Sequence, residues 1–297
     1  MSSVTVPRPD PARRFGAHMP IAGGLQNALT SGKEVGCDLV QIFTKTPQQW
    51  KAKELTDEQV EAFLRAQEET GVPCVASHDS YLINPCSADP ELLQKSRQAL
   101  VDEVVRCHRL QVPLIVMHCG MPGDCPEDEG NTRLADTVKY ILDQTADLSP
   151  ILLLETMAGQ GRCVGHRFEH LGQVLQQAGG GDRLQVCVDT CHIFAAGYEL
   201  RTEEGYAETM RQLDAAVGLD RVRLIHANDS KKELGSRVDR HEHIGDGCIG
   251  PEAFHYLLTD ERLATVPVIL ETPKVDNSDP RNLAALRRAA GVPSGES

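Results

Sequence analysis

The sequence lacks any long apolar run. No segment approaches the roughly 18 to 20 uninterrupted apolar residues that a membrane-spanning helix needs, and the first residues contain no apolar region typical of a secretion signal. With 40% hydrophobic and 25% charged residues, the 297-residue chain instead has the composition of a globular protein with a large core. We therefore expect a cytoplasmic protein that has no membrane partner.

Paired cysteine motifs are also missing. The ten cysteines are scattered, none forms a Cys-x-x-Cys pair, and most lie inside apolar runs. This pattern argues against a disulfide framework and against a zinc finger built on thiolates. Cys119, directly after His118, is better explained as a buried thiol than as a metal ligand.

The surplus of positive charge that nucleic-acid-coating proteins usually carry is absent as well. The net charge is −13, which argues against binding through a broadly basic surface. Local binding is not excluded, because residues 221–243 carry six cations against four anions. Bound metal ions would add positive charge that a count of residues omits.

What the sequence does contain is a regular alternation of short apolar runs and longer stretches of helical spacing. The spacing predicts helices over residues 57–69, 91–110, 131–148, 168–177 and 203–217. The apolar runs that alternate with them predict strands over residues 14–18, 37–43, 72–78, 113–118, 151–155, 184–189, 221–226 and 266–271. Alternating strands and helices indicate an α/β protein with a parallel sheet.

The number of predicted strands specifies the architecture further. Eight parallel strands are the number that closes a (β/α)8 TIM barrel, whose active site lies at the C-terminal face of the strands. No Gly/Ser-rich linker divides the series, so we predict one barrel domain over residues 14–290. Residues 1–13 and 291–297 are expected to be flexible tails.

The ends of the predicted strands carry the strongest functional signal. Seven of the eight runs end in a residue that can bind a metal or move a proton, and only Phe43 departs from the pattern. The seven are His18, His78, His118, Glu155, Asp189, His226 and Glu271. Any one of them alone is usually a solvated loop residue, but in a barrel all the strand ends converge on one face. The repetition therefore predicts a shared site.

Further candidate ligands lie just beyond the strand ends. His192 follows Asp189 by three residues, while Asp239 and His241 lie two apart in the loop after the seventh strand. Nine nitrogen and oxygen ligands result: His78, His118, Glu155, Asp189, His192, His226, Asp239, His241 and Glu271. Nine are too many for one ion, so the set indicates two or three metals. Mixed histidine and carboxylate sites suit Zn²⁺ best and Mn²⁺ next.

Several longer motifs surround these residues. They are residues 16–24 (GAHMPIAGG), 43–45 (FTK), 77–84 (SHDSYLIN), 155–161 (ETMAGQG), 188–198 (VDTCHIFAAGY), 226–231 (HANDSK) and 235–241 (GSRVDRH). In this order, from about residue 15 to residue 273, they resemble the bacterial endonuclease IV family of abasic-site nucleases.

The resemblance implies a TIM barrel with three zinc ions. Transferred residue by residue, one ion is held by His78, His118 and Glu155, a second by Glu155 as a bridge together with Asp189, His226 and Glu271, and the third by His192, Asp239 and His241. Glu155 and Glu271 are the catalytic candidates, Glu155 as the bridge and Glu271 as the group that orients or deprotonates the attacking water.

The resemblance also implies a reaction and a partner. Such enzymes cut the DNA backbone on the 5′ side of an abasic site in duplex DNA, leaving a 3′-hydroxyl and a 5′-deoxyribose phosphate, and they trim blocked 3′ ends. We therefore expect a DNA repair nuclease that acts as a monomer.

The same resemblance implies a set of DNA contacts. Tyr81 and Leu82 match positions that enter the duplex and help to flip the abasic sugar out. Gln48 stands where the family usually has an arginine, so we expect weaker phosphate attraction and a shallower salt dependence there. Lys45 is a candidate for a phosphate contact, and Asn228 for contacting phosphate or holding the ligands in place.

Two alternatives remain open at this stage. Metal-dependent sugar isomerases and epimerases also gather His, Glu and Asp at barrel strand ends, but they usually need only one or two metals and an enclosed pocket. A catalytically silent protein that binds damaged DNA or stores zinc is the second alternative. The His192, Asp239 and His241 set and the Tyr81–Leu82 pair favour the DNA nuclease over the sugar enzyme.

Overall fold

A computed structural model describes residues 13–51, 53–275 and 277–292. Its strands are β1 (Phe15–His18), β2 (Leu39–Ile42), β3 (Cys74–His78), β4 (Leu114–Met117), β5 (Ile151–Glu155), β6 (Leu184–Asp189), β7 (Val222–His226), β8 (Asp229–Ser230), β9 (His241–Glu242) and β10 (Val268–Leu270). All except β8 and β9 are parallel and form a closed barrel, in which β10 pairs with both β7 and β1. The predicted eight-stranded barrel is therefore confirmed.

Helices surround the barrel. They are α1 (Leu25–Glu34), α2 (Asp57–Thr70), α3 (Pro90–Leu110), α4 (Glu127–Gln144), α5 (Phe168–Ala178), α6 (Thr190–Ala196), α7 (Glu203–Ala216), α8 (Pro251–Thr259) and α9 (Asp279–Ala289). Each helix in this described part of the chain is too short or too polar to cross a lipid bilayer.

The helix predicted over residues 131–148 is displaced toward the C-terminus relative to α4. Three acidic residues, Glu127, Asp128 and Glu129, occupy the first turn of the helix. Negative side chains stabilise the positive end of the helix dipole, so the helix begins at these residues rather than at the first apolar position. The short helices α1, α6, α8 and α9 were not among those predicted.

Three predicted strands extend past the C-terminal ends of the observed ones. Strand β2 ends at Ile42, β4 at Met117 and β10 at Leu270, so Phe43, His118 and Glu271 are the first residues after their strands. The loop predicted to follow β7 contains a two-stranded antiparallel pair, because β8 pairs with β9. This pair joins the two ends of the segment that carries Asp239.

Two apolar layers hold the barrel together. One fills its interior and consists of Leu39, Val75, Ala76, Leu114, Val116, Leu153, Cys187, Leu224 and Ile269. The other lies between the strands and the helices and includes Phe15, Phe63, Phe168 and Phe254. All ten cysteines are free, and eight of them are buried, as expected. The tails predicted over residues 1–13 and 291–297 lie almost wholly outside the described residues, so the limits of the domain remain a prediction.

Candidate metal centre

The C-terminal ends of the barrel strands open into a cleft of about 1000 Å³. Its lining includes seven of the strand-end and loop residues singled out in the sequence: His18, His78, His118, His192, Asp239, His241 and Glu271. The parallel strands all end at this face, which is why residues far apart in the sequence meet here.

Glu155 lies at the centre of the site. It is the last residue of β5 and is fully buried. Its Oε2 lies 3.3 Å from Nε2 of His78 and 3.0 Å from Nε2 of His118. Its Oε1 lies 2.8 Å from Nδ1 of His226. One carboxylate thus contacts imidazoles from three other strands, an arrangement suited to bridging two ions.

A second group consists of Glu155 and three residues at the C-terminal ends of β6, β7 and β10. Ligand atoms of Glu155, Asp189, His226 and Glu271 all lie within 4.8 Å of one another. The buried amide of Asn228 fixes two of them, because its Nδ2 donates to Asp189 Oδ2 (2.7 Å) and its Oδ1 accepts from the Glu271 backbone N–H (2.8 Å). We call His78, His118, Glu155, Asp189, His226 and Glu271 the inner ligands.

The third group, which we call the outer ligands, consists of His192, Asp239 and His241. The Asp239 carboxylate lies 3.2 Å from His192 Nε2 and 3.3 Å from His241 Nε2. Both nitrogens are buried, yet neither has a hydrogen-bond partner. Asp189 positions His192 locally, because its side chain accepts from the His192 backbone N–H and caps helix α6.

The orientation of the histidine rings fits a metal site. Three rings place Nδ1 on a backbone carbonyl: His78 on Asp79 O (3.0 Å), His192 on Thr156 O (2.8 Å) and His241 on Glu271 O (3.1 Å). A carbonyl oxygen can only accept, so each ring must carry a proton on Nδ1, and Nε2 is the atom that faces the carboxylates and is left for a metal ion. Hydrogen bonds of this kind orient metal-binding histidines, so the residues present fit metal ions.

The surroundings of Glu155 and Asp239 favour the ionised form of both carboxylates. Burial alone would raise the pKa of Glu155, but the imidazoles of His226 and His118 outweigh burial and hold that pKa well below its usual value. The same balance acts on Asp239, where burial opposes ionisation and His192 lowers the pKa to about 2. The site therefore offers negative charge at neutral pH.

The imidazoles show the opposite shift. Burial disfavours a charge on His78, yet its contacts with Asp79 and Glu155 raise its pKa well above the usual value. Burial opposes a charge on His192 as well, but Asp189 helps to raise its pKa well above the usual value. A metal ion that binds these rings must therefore displace protons from them.

The predicted DNA contacts lie in different surroundings. Tyr81 is 65% exposed, lines the cleft, and has its ring 5.5 Å from that of Phe43. Gln48 is exposed and also lines the cleft. Leu82 is half-buried in the turn beside Tyr81, where its backbone N–H donates to Ser80 Oγ.

Lys45 is not placed for a phosphate contact. It is buried, its Nζ lies 2.8 Å from Asp102 Oδ2 and 3.9 Å from Glu103 Oε2 on helix α3, and it is not part of the cleft lining. Lys45 was selected as part of the motif at residues 43–45, but the sequence could not reveal its two acidic partners, which are more than fifty residues away.

The sequence analysis missed Gln41. This buried residue of β2 contacts Glu271, His226 and His18 through its side-chain amide. The available signal was a polar residue in the middle of the strand sequence LVQI. His18 was identified as a strand-end residue but not as a ligand, and its Nδ1 lies 3.4 Å from Glu271 Oε1.

Comparison with known proteins agrees with the geometry. A family model described as a xylose isomerase-like TIM barrel matches residues 29–290. A probable endonuclease 4 of Chloroflexus aurantiacus is 49% identical over 276 residues, which cover 92% of this chain and 97% of the relative. The crystal structure of endonuclease IV from Thermus thermophilus superposes with a TM-score of 0.83 at 37% identity, covering 94% of this chain and 99% of that one.

More distant structures share the barrel alone. A 3-keto-D-glucoside 4-epimerase from E. coli superposes with a TM-score of 0.70 at 15% identity, covering 93% of this chain and 99% of that one. Such a low identity shows a common fold and carries no argument about activity. The higher identities extend over nearly the whole chain, and they show that this chain belongs to the endonuclease IV family.

Proposed function

We propose that this protein is a zinc-dependent DNA repair endonuclease that hydrolyses the phosphodiester on the 5′ side of an abasic site. The products would be a 3′-hydroxyl and a 5′-deoxyribose phosphate. The observation that carries the proposal is the meeting of nine histidine and carboxylate ligands in three groups, two of which share Glu155, at one open cleft that six of the nine line. Membership of the endonuclease IV family supports the same reaction.

The donor set favours zinc, with manganese second, because it offers imidazole nitrogens and carboxylate oxygens. His78, His118 and Glu155 would hold one ion, Glu155, Asp189, His226 and Glu271 a second, and His192, Asp239 and His241 a third. When bound, such ions neutralise a phosphate, lower the pKa of water toward about 7 and stabilise the departing 3′ oxygen.

Glu271 is the proposed catalytic residue that faces the attacking water. Burial opposes its ionisation, but His226 and His18 outweigh burial and hold its pKa well below the usual value. The carboxylate is therefore ionised at neutral pH and can accept a hydrogen bond from water, which orients the water toward the phosphorus. Its backbone is fixed by Asn228 and its Oε1 accepts from Gln41 (2.6 Å).

The rim of the cleft carries groups suited to damaged DNA. Tyr81 exposes an aromatic ring that can fill the gap left when an abasic sugar turns out of the helix, which costs less where no base pair holds it. Gln48 and Leu82 would contact the duplex beside it. Arg240 is exposed in the cleft lining next to Asp239, where it can attract a phosphate despite the net charge of −13.

The same site would serve blocked 3′ ends. A blocking group attached through a phosphate presents the same phosphoester chemistry to the inner ligands as an internal abasic site does. The cleft is open to solvent on one side of a single chain, so we propose that a monomer binds the duplex.

The direct test uses an end-labelled duplex with one tetrahydrofuran abasic analogue, beside an undamaged duplex, and the purified protein with its metal content measured. The analogue cannot undergo β-elimination, so a nick reports hydrolysis. We expect one nick on the 5′ side of the analogue that leaves a 3′-hydroxyl and disappears after prolonged chelation. Intact damaged DNA with metal ions bound to the protein would refute the proposal.

A further inference from the structure

Gln41 is a polar residue inside the barrel wall. It is the third residue of β2, its side chain is fully buried, and its neighbours in the strand are the apolar residues Val40 and Ile42. A buried amide is retained without cost to stability only if its donors and acceptors are paired. The pairing partners of Gln41 are all at the metal centre.

The amide makes three contacts. Its Nε2 donates to Glu271 Oε1 at 2.6 Å and lies 3.0 Å from His18 Nδ1. Its Oε1 lies 2.9 Å from His226 Nε2. One side chain therefore connects two inner ligands and the histidine that lies beside them.

The partners of the Gln41 amide fix which way the amide group points. An ionised carboxylate can only accept, so the amide NH₂ must face Glu271 and the amide oxygen must face His226. His226 must then donate from Nε2, which leaves Nδ1 as the ring atom that faces the carboxylates and that a metal ion would bind. That Nδ1 is the atom that lies 2.8 Å from Glu155 Oε1 and 3.2 Å from Glu271 Oε2.

His226 differs in this respect from His78, His192 and His241. Those three rings place Nδ1 on backbone carbonyls, which a side-chain substitution does not remove. The orientation of the His226 ring and the position of its proton depend instead on the side-chain amide of Gln41. The proton position of this ligand can therefore be changed by a single substitution.

We propose that Gln41 is a positioning residue of the metal centre, which fixes the proton of His226 and the orientation of Glu271 at the same time. It acts on the ion shared by Glu155, Asp189, His226 and Glu271. The effect on DNA cleavage rests on the proposed function, whereas the effect on metal affinity does not.

The first experiment measures zinc binding by chelator competition in wild type, Gln41→Met and Gln185→Met. Methionine keeps the approximate shape of the side chain without donating or accepting strongly. Loss of a group that orients a metal ligand typically weakens binding 10- to 100-fold, so we expect a loss of about this size at one ion in Gln41→Met. The other ions should bind as in wild type.

Gln185 provides the matched control. It is a buried glutamine at the second position of β6, it contacts the backbone oxygen of Gly181 at 3.3 Å, and it lies about 13 Å along the strand from Asp189. Gln185→Met should keep wild-type metal affinity. Equal weakening in Gln185→Met and Gln41→Met would overturn the proposal, as would unchanged affinity in Gln41→Met.

A second variant tests the two contacts separately and covers the case in which Gln41→Met does not fold. Gln41→Glu keeps an acceptor for His226 but, when ionised, places a second carboxylate against Glu271 in place of the amide donor. We expect a changed visible spectrum of the cobalt-substituted protein and a fall in kcat of about tenfold or more with KM unchanged. A wild-type cobalt spectrum and wild-type kcat in Gln41→Glu would overturn the proposal.

The test of Gln41 can be told apart from the test of the proposed function. If wild type binds its ions but cuts no abasic DNA, the proposed function fails while the result on metal binding stands.

Discussion

The inner and outer ligands of the centre are built in different ways. Glu155 and His226 of the inner group are fully buried at the ends of barrel strands and contact each other directly at 2.8 Å. In the outer group, Asp239 comes from a surface segment with its side chain 39% exposed, and it faces His192 and His241 without a hydrogen bond. The inner group is thus assembled by the barrel and by its own contacts, whereas the outer group combines two rings held by backbone carbonyls with a carboxylate from a surface segment.

The largest effect should follow from removing the central carboxylate. Glu155→Ala removes the one carboxylate that His78, His118 and His226 share, and breaking a buried ion pair in this way costs about 3–5 kcal/mol. We expect a large drop in melting temperature and loss of both inner ions. Thermal unfolding and metal analysis check this, and a variant that keeps its stability and its metal would contradict the central place of Glu155.

The second-largest effect should follow from Glu271→Gln, which should lower turnover and leave the fold intact. Glu271→Gln preserves the shape of the side chain but replaces the ionised oxygen that faces the water, so we expect cleavage to slow by about 10²- to 10⁴-fold. Binding to abasic duplex, measured by fluorescence anisotropy, should stay close to wild type. Turnover near the wild-type rate would remove Glu271 from the catalytic machinery.

A substitution in the outer group should be milder. Asp239→Asn weakens the only carboxylate of that group, and we expect loss of one ion, retention of the two inner ions and about 10- to 100-fold slower cleavage. Because Asp239 is partly exposed, the melting temperature should change little. Loss of all metal in this variant would show that the two groups do not bind independently.

The pKa shifts predict a pH dependence that differs with metal content. The raised pKa values of His78 and His192 contribute stability to the metal-free protein below the usual histidine pKa, and that stability is lost as pH rises through the raised values. The metal-free protein should thus melt at a higher temperature at pH 6 than at pH 9, and thermal unfolding at the two pH values checks this.

Zinc binding at pH 7 should release protons from these histidines and weaken as pH falls. Calorimetry in buffers of different ionisation enthalpy would detect the release, and heat independent of the buffer would contradict it.

The smallest effect concerns the rim alone. Gln48→Arg adds a positive charge to the cleft lining without touching the ligands. We expect the slope of log K against log salt to steepen by about 0.9 and the metal content to remain the same. Binding titrations at several salt concentrations check the slope, and an unchanged slope would show that residue 48 does not meet a phosphate.

The barrel could be predicted because its strands are buried on both faces, so each is a short apolar run that can be recognised in the sequence. Each of the eight predicted runs contains a barrel strand. The helix α6 escaped prediction because its seven residues are all buried except the last, so it shows no polar face. The pair β8–β9 is only two residues long on each strand and gives no alternating pattern.

The candidate site could be predicted as a set of residues because parallel strands end on one face. The sequence could not show which atoms meet. Gln41 and Lys45 lie only four residues apart, yet one reaches the centre and the other pairs with Asp102 on helix α3. Which way each side chain points depends on packing against segments that are distant in the chain.

The division into inner and outer ligands is tested most directly by the anomalous scattering of zinc in crystals of the metal-loaded protein. The account predicts three peaks, one at His78, His118 and Glu155, one at Glu155, Asp189, His226 and Glu271, and one at His192, Asp239 and His241. Each peak should lie about 2.0–2.2 Å from its ligand atoms. A single peak, or the absence of any peak beside Glu155, would contradict the account.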